Sequence, residues 1–381
     1  MSRFNPHMAG TAAVKIMTLI GTRPEAIKMA PVVHELARHA PEVTTFVCAT
    51  GQHRELLDRT LALLDVRPHR NLEVMAHDQT LAGLTGRLLE LLDPLVRDER
   101  PDWLVVQGDT TTAMVGALVG FYRRIRVAHV EAGLRTDDLR QPFPEEFNRR
   151  VADLCAELCF APTAWARDNL LREGVPSSRI HVTGNTIVDA VLGMAARRYD
   201  EATGPLAGIP RDLRWMLVTT HRRESFGAPL ERICQAVARI ARDFVGALHV
   251  IVPVHPNPRV AGVVSRILAL PNCSVVPALD YPDLVQILRR ASLVLTDSGG
   301  IQEEAPTFGV PVLILRHKTE RPEGVEAGAA RIVGTDPDVI VTEASKILHA
   351  DRARVPMANP YGDGAAARRI VDLLLRDSSR G

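Results

Sequence analysis

Residues 14–38 read VKIMTLIGTRPEAIKMAPVVHELAR. An apolar run of strand length at 14–20 ends at a glycine, and a helical pattern follows with Pro24 in its first turn, where proline is favoured. A strand that leads directly into a helix is the repeating unit of a parallel sheet covered on both faces. The stretch therefore predicts an α/β fold. In such folds the residues that follow each strand are the candidates for ligand binding.

The same alternation of short apolar runs and longer amphipathic runs continues along the chain in two series. Further strands are predicted at residues 43–50, 103–107, 127–130, 159–161, 215–220, 249–254, 273–278, 293–296 and 311–315. We therefore predict two Rossmann-like domains facing a central cleft. The expected parts are a loose N-terminal tail at 1–13, an N-terminal domain at 14–180, a C-terminal domain at 181–364, and a C-terminal helix within 365–381 that packs back on the first domain.

The length and composition of the chain exclude several classes of protein. The 381 residues suit two domains of ordinary size, and 46 Lys and Arg nearly balance 45 Asp and Glu, so no basic excess indicates nucleic acid or an anionic membrane as a partner. No apolar stretch reaches the roughly 18 residues of a membrane span, and the first residues lack the apolar core of a signal peptide. Five scattered cysteines without a CxxC pair favour a reduced, cytoplasmic protein with no structural metal.

Charged residues follow several predicted strands at their carboxyl ends, where doubly wound sheets bind ligands. Arg23 and Lys28 follow the first strand, Asp109 follows the strand at 103–107, and Glu131 follows the next. A helix N-terminus favours an anion, whereas a carboxylate beside a buried strand end needs a partner. From the residues alone, a plain turn with a solvated arginine and a helix-capping Asp109 remain open interpretations.

Residues 295–305, LTDSGGIQEEA, place two glycines between an apolar run and a helical pattern. The backbone amides near Ser298, Gly299 and Gly300 would face a helix N-terminus, which is a geometry that binds a diphosphate. Glu304 could accept hydrogen bonds from a ribose diol, and Arg321 is a candidate second clamp on the phosphates. The stretch predicts a nucleotide-diphosphate site; the alternative is a tight turn followed by a solvated helix.

Two other charged stretches are less specific. HRRES, which begins at His221 and Arg222, follows the strand at 215–220, although a solvated charge run is the usual explanation. Glu145 and Glu146 open a predicted helix behind a proline, where acidic side chains favour the helix dipole in any case.

Ten motifs occur in a fixed order along the chain. They are GTRPEAIKMAP, GQHRELL, GDTTT, VEAGLRT, PEEFNR, TGNTIVDA, HRRES, LTDSGGIQEEAP, TERPE and NPYGDG. In this order the chain resembles the non-hydrolysing UDP-N-acetylglucosamine 2-epimerases, from about Val14 to the C-terminal helix. The resemblance implies a GT-B architecture, a homodimer, and no cofactor or metal. It also implies interconversion of UDP-GlcNAc and UDP-ManNAc by anti elimination of UDP to 2-acetamidoglucal and re-addition.

The resemblance also implies roles for individual residues. The acid/base group would comprise Asp109, Glu131 and Glu145. Lys28 and His221 would assist departure of UDP. The remaining contacts to the UDP-sugar would come from Arg23, Arg222, Leu284, Ser298, Gly299, Gly300, Glu304 and Arg321.

Two positions depart from the family pattern. Leu284 stands where an aromatic residue often faces uracil, which would weaken stacking. Many members also bind a second UDP-GlcNAc as an activator, and Gln52, His53 and His255 fit that pocket, but Asp78 stands where some members have a basic residue. We therefore expect turnover of pure UDP-ManNAc without added UDP-GlcNAc.

Two other functions remain open at this stage, namely a 2-epimerase of a modified UDP-acetamido sugar and a GT-B glycosyltransferase that uses a UDP-sugar. A hydrolysing epimerase is disfavoured, because such enzymes usually carry a fused sugar-kinase domain for which 381 residues leave no room. The presence of Asp109, Glu131, Glu145 and His221 argues against a catalytically inactive UDP-sugar sensor. The pathway served, whether a cell-envelope polysaccharide or a secondary metabolite, is likewise open.

Overall fold

The protein is described by a computed structural model, which covers residues 13–51, 54–76, 78–220, 227–254, 258–350 and 359–378. The chain forms two compact units, and it passes from one to the other between Thr183 and Gly184 and again between Ala366 and Ala367. Each unit is built on one parallel sheet. Within the described residues, no helix is both long and apolar enough to cross a membrane.

The first unit has a seven-stranded sheet with the order β3-β2-β1-β4-β5-β6-β7. Its strands are β1 Val14–Ile20, β2 Val43–Ala49, β3 Arg70–Asn71, β4 Trp103–Gln107, β5 Arg126–Val130, β6 Leu158–Ala161 and β7 Ile180–Val182. Its first six helices are α1 Arg23–Ala37, α2 Arg54–Leu63, α3 Leu81–Glu99, α4 Thr111–Arg123, α5 Glu145–Cys155 and α6 Ala164–Arg172. Every residue of β4 is buried, as expected for a parallel strand covered on both faces.

The second unit has a six-stranded sheet with the order β10-β9-β8-β11-β12-β13. Its strands are β8 Arg214–Thr219, β9 Leu248–Pro253, β10 Cys273–Val276, β11 Ala291–Thr296, β12 Val312–Ile314 and β13 Ala330–Ile332. Its helices are α7 Thr186–Ala195, α8 Ala228–Asp243, α9 Pro258–Ile267, α10 Tyr281–Arg290, α11 Gly299–Glu304, α12 Pro322–Glu326 and α13 Pro337–His349. One apolar cluster packs α8 and α13 on one side of the sheet, and another lies beneath α10.

The last helix, α14 Ala366–Ser378, lies almost entirely within the first unit. The Trp103 indole N–H donates to Ser378 Oγ at 2.8 Å. The Arg126 guanidinium stacks 4.3 Å from the centre of the Trp103 ring and pairs with Asp377 at 3.5 Å. These contacts fix the end of α14 against β4 and β5.

In each sheet the order of the strands changes direction once. The change lies between β1 and β4 in the first sheet and between β8 and β11 in the second. At such a switch point the loops after the two central strands diverge to opposite faces and leave a crevice for a ligand. A ligand is therefore expected at the loops after β1, β4 and β11.

Candidate active site

The loop after β1 is held together by Glu25, a residue that the sequence analysis did not select. Helix α1 begins at Arg23, which is half-buried, and the Glu25 carboxylate reaches back to accept hydrogen bonds from the Gly21 N–H at 3.1 Å and the Thr22 hydroxyl at 2.8 Å. Its other oxygen accepts from the Thr110 hydroxyl at 2.8 Å. Glu25 thus links the loop after β1 to the loop after β4.

Burial of Glu25, which is 2% exposed, raises its pKa to about 7, although the hydrogen bonds from Thr22 and Thr110 act in the opposite direction. The sequence carried a signal for this residue, because Thr22 and Glu25 have the spacing of a helix capping box. Gly21 is required at the same turn, since a Cβ there would overlap the Thr112 hydroxyl on α4.

Glu131 and Lys28 form a buried ion pair at the end of β5. The two residues are 9% and 6% exposed, and the Gln107 side-chain amide donates to the same Glu131 oxygen at 3.1 Å. Glu131 has φ of +68°, which is unusual for a residue with a Cβ. The structure therefore joins two residues that the sequence analysis selected separately, and it adds Gln107, which that analysis missed.

Asp109 lies at the end of β4 and is more open than Glu131, with 31% of its side chain exposed. Arg149 of α5 forms an ion pair with its carboxylate, and the Asn148 amide donates to the Asp109 carbonyl at 3.0 Å. Gly108, which precedes it, has φ of +69° and donates its N–H to Val130 at 3.0 Å. Helix α5 and strand β5 thus hold Asp109 from two sides.

The two glutamates at the start of α5 have different surroundings. Glu146 is fully buried and accepts from Arg149 at 3.2 Å, from Arg150 at 3.1 Å and from the Thr136 N–H at 3.1 Å. Its oxygens are therefore used in holding α5 and the loop before it. Glu145 is the first residue of α5 and is half-buried.

In the second unit, the loop after β11 leads directly into α11. The Ser298 N–H donates to the Thr296 hydroxyl at 2.9 Å, and α11 begins at Gly299. A Cβ on Gly299 would lie 2.5 Å from a terminal nitrogen of Arg321, so the guanidinium rests against this glycine. The structure therefore brings Ser298, Gly299 and Arg321 together.

Arg321 is oriented by two buried carboxylates. Its Nε donates to Glu303 at 2.6 Å, and a terminal nitrogen donates to Glu320 at 2.7 Å. The side chain is 10% exposed. Behind it, the Tyr361 hydroxyl accepts from the Gly324 N–H at 3.1 Å, which fixes the start of α12. Tyr361 lies in the NPYGDG motif, to which the sequence analysis gave no role.

Three further predicted residues of this unit are described by the structure. Glu304 and Gly300 both lie on α11, where Gly300 is the second residue of the helix and Glu304 is 4% exposed. Leu284 on α10 is half-buried and packs against the apolar cluster beneath that helix. His221, Arg222, Gln52, His53 and His255 lie outside the described residues.

Comparison with known proteins identifies the family. A family model described as UDP-N-acetylglucosamine 2-epimerase matches residues 34–375. The chain belongs to this family. It is 46% identical over 371 residues to the UDP-N-acetylglucosamine 2-epimerase of Salmonella typhimurium and 47% identical to that of Escherichia coli K12, with 95% of this chain and 98% of each relative covered.

A solved structure of a family member is also similar. The UDP-GlcNAc 2-epimerase from Neisseria meningitidis, bound to UDP-GlcNAc, has a TM-score of 0.87 and 38% identity, and the match covers 95% of this chain and 100% of the other. The resemblance drawn from the ten motifs is therefore confirmed, as is the prediction of two Rossmann-like sheets. The loops described above carry several of the ten motifs.

Proposed function

We propose that this protein is an isomerase that interconverts UDP-GlcNAc and UDP-ManNAc without net hydrolysis. The match over almost the whole chain to relatives named UDP-N-acetylglucosamine 2-epimerase carries the proposal. The buried Lys28–Glu131 pair supports it, because a carboxylate held at the end of a central strand is the kind of group that proton transfer at a sugar carbon requires.

The chemistry dictates what the site must supply. No carbonyl acidifies the C2 proton of the sugar, so the C1–oxygen bond to UDP breaks ahead of proton removal and the ring gains positive charge. UDP departs with the bonding electrons, a base takes the C2 proton, and a C1–C2 double bond forms. Re-addition of UDP at C1, with protonation of C2 from the opposite face, completes the epimerisation. Carboxylates stabilise the positive charge and carry the proton.

The first unit supplies these carboxylates in the proposed mechanism. Glu131, Asp109 and Glu145 are the candidate acid/base residues, and the first two are oriented by the Lys28 and Arg149 cations. Arg23, together with the positive end of α1, would stabilise the leaving diphosphate. A positioned carboxylate is more effective than a mobile one, because little reorganisation accompanies proton transfer.

The second unit supplies the groups proposed to hold UDP. The Arg321 guanidinium rests against Gly299. Its positive charge therefore lies beside the start of α11, where the amides of Ser298, Gly299 and Gly300 are the proposed backbone donors. Such a combination of charge and backbone donors suits a diphosphate. Glu304 would take the ribose hydroxyls and Leu284 would contact uracil.

A proton NMR experiment tests the function directly. Purified protein mixed with UDP-GlcNAc in heavy water, with nothing else added, is expected to produce UDP-ManNAc signals while deuterium enters at C2. Release of free UDP and free ManNAc would instead indicate a hydrolysing enzyme. An unchanged spectrum would overturn the substrate assignment, and a modified UDP-acetamido sugar or an acceptor for glycosyl transfer would then be tried.

We also propose that the protein is a homodimer through α4 and α5, which pack against each other in the first unit. Four large apolar side chains are exposed on these helices, namely Phe121 (63%), Tyr122 (65%), Phe147 (50%) and Leu154 (79%). Large exposed apolar side chains grouped on two helices that pack together are typical of a protein interface.

Sedimentation is expected to give a mass near twice 41.7 kDa for the unmodified protein. The Leu154→Glu change should shift the mass to that of a monomer, because it places a charge in the proposed interface. Val245→Glu is the control, since Val245 is 66% exposed but lies in the second unit. A monomeric unmodified protein at micromolar concentration would contradict the proposal.

A further inference from the structure

A buried network of ionisable side chains lies beneath the loops that carry Asp109 and Glu131. Its centre is His129 on β5, which is 0% exposed. Its Nδ1 lies 2.6 Å from a carboxylate oxygen of Asp153 on α5, and its Nε2 lies 2.7 Å from the Gly108 carbonyl oxygen.

Both partners of the His129 ring are hydrogen-bond acceptors. A carboxylate and a backbone carbonyl have no hydrogen to offer, so each ring nitrogen must donate one. A neutral imidazole has a single N–H, and it would leave one nitrogen facing an oxygen with no hydrogen between them. In a site without access to water this arrangement is costly. The geometry therefore requires a ring that carries two hydrogens and a positive charge.

The Asp153 carboxylate is placed to compensate this charge. Its second oxygen accepts from Arg135 at 2.7 Å, and Arg135 in turn donates through Nε to Glu173 at 2.8 Å. Burial alone would raise the pKa of Asp153, but the His129 and Arg135 cations outweigh it and hold this pKa below its usual value. The carboxylate is thus an anion between two cations.

The network reaches both acid/base loops through backbone atoms. The Gly108 carbonyl belongs to the peptide that joins it to Asp109, so the bond from His129 orients that peptide. On the other side, the Gly133 N–H lies 3.4 Å from an Asp153 oxygen, and the Gly133 carbonyl accepts from the Asn169 amide at 2.9 Å. Gly133 follows Glu131 by two residues and has φ of +86°.

We propose that His129 is an imidazolium that positions Asp109 and, through Asp153, the loop of Glu131. It acts on the reaction through these residues and does not touch the substrate. The catalytic part of this inference rests on the proposed epimerase function, whereas the charge state of the ring does not.

The charge state is tested by nitrogen-15 NMR of the full-length protein labelled at histidine. At about pH 8, where an unperturbed imidazole is neutral, both nitrogens of His129 are expected to give protonated shifts, and His129→Gln assigns the signals by their loss. His249 is an internal reference, because it is also buried on a strand and burial lowers its pKa. An unprotonated nitrogen in the His129 ring would overturn the proposal, whatever the substrate is.

Kinetics test the positioning. His129→Gln keeps an amide donor but removes the charge, and it is expected to lower kcat by roughly 10- to 100-fold with KM nearly unchanged, as for a small misplacement of catalytic groups. His249→Gln is the matched control and should keep kcat. If His129→Gln does not fold, Asp153→Asn, which removes the carboxylate that faces His129 Nδ1 and the Gly133 N–H, is expected to lower kcat in the same way. A folded His129→Gln protein with unchanged kcat would reduce His129 to a structural role and overturn the proposal.

A wild-type protein that does not epimerise UDP-GlcNAc would count against the proposed function. The spectrum would still decide whether His129 is the imidazolium that the geometry requires. The two failures are therefore distinguishable.

Discussion

Replacing Glu131 with glutamine is expected to lower kcat for UDP-GlcNAc epimerisation by roughly 10²–10⁴, the usual contribution of a positioned acid or base. The change keeps the shape of the side chain and its contact with Gln107, but it removes the charge and the capacity to take up a proton. UDP affinity should be almost unchanged, because Glu131 is not among the groups proposed to hold UDP. Steady-state kinetics and calorimetric titration with UDP measure the two effects separately.

The Lys28–Glu131 pair complicates this experiment, because Lys28 is 6% exposed and would lose its anionic neighbour. Loss of one member of a buried ion pair costs about 3–5 kcal/mol in the free energy of unfolding. The double variant Lys28→Met/Glu131→Gln removes both charges and should recover much of that stability without recovering activity. Near-normal kcat in Glu131→Gln would remove Glu131 from the acid/base group.

The βα alternation was sufficient to predict the fold, because strands buried on both faces appear as continuous apolar runs. Two short edge strands escaped this reasoning. β7 and β13 have three residues each and include His181 and Arg331, so they show neither a run nor an alternation. They lie at the edges of their sheets, where pairing depends on the neighbouring strand more than on their own sequence.

The site could be predicted only as single residues that follow strands. The pairing of Lys28 with Glu131 joins positions 103 residues apart, and no local pattern encodes it. The same holds for the bond of His129 to Asp153 across 24 residues. Glu25 is the exception, since its capping-box spacing to Thr22 is visible in the sequence. The residue types that follow each strand were therefore sufficient to predict candidate site residues. Which of these residues contact one another depends on tertiary structure and could not be predicted.

Replacing Arg321 with methionine is expected to weaken UDP binding by roughly 10- to 100-fold, the equivalent of about 1.5–3 kcal/mol for a charge-assisted hydrogen bond. Arg321 rests against Gly299 and is the side chain proposed to clamp the diphosphate. Titration calorimetry with UDP measures the loss, and the carboxylates of the first unit that are proposed as the acid/base group are not altered.

Stability must be separated from binding in this experiment too. Glu303 is 1% exposed and pairs with Arg321, so the single change leaves a buried carboxylate without that cation, at a cost of about 3–5 kcal/mol. The double variant Arg321→Met/Glu303→Gln should restore much of the unfolding free energy and still bind UDP weakly. Recovery of UDP affinity in the double variant would show that Arg321 only maintains the fold.

A glycine substitution tests the same clamp without removing its charge. In Gly299→Ala the new methyl group would meet the Arg321 guanidinium 2.5 Å away, and Glu303 and Glu320 restrict how far that group can withdraw. UDP affinity should therefore fall although every charged group remains. Gly193→Ala is the matched control, because a Cβ on Gly193 in α7 meets nothing within 4 Å. Equal UDP affinity in the two alanine variants would place the diphosphate elsewhere than beside Arg321.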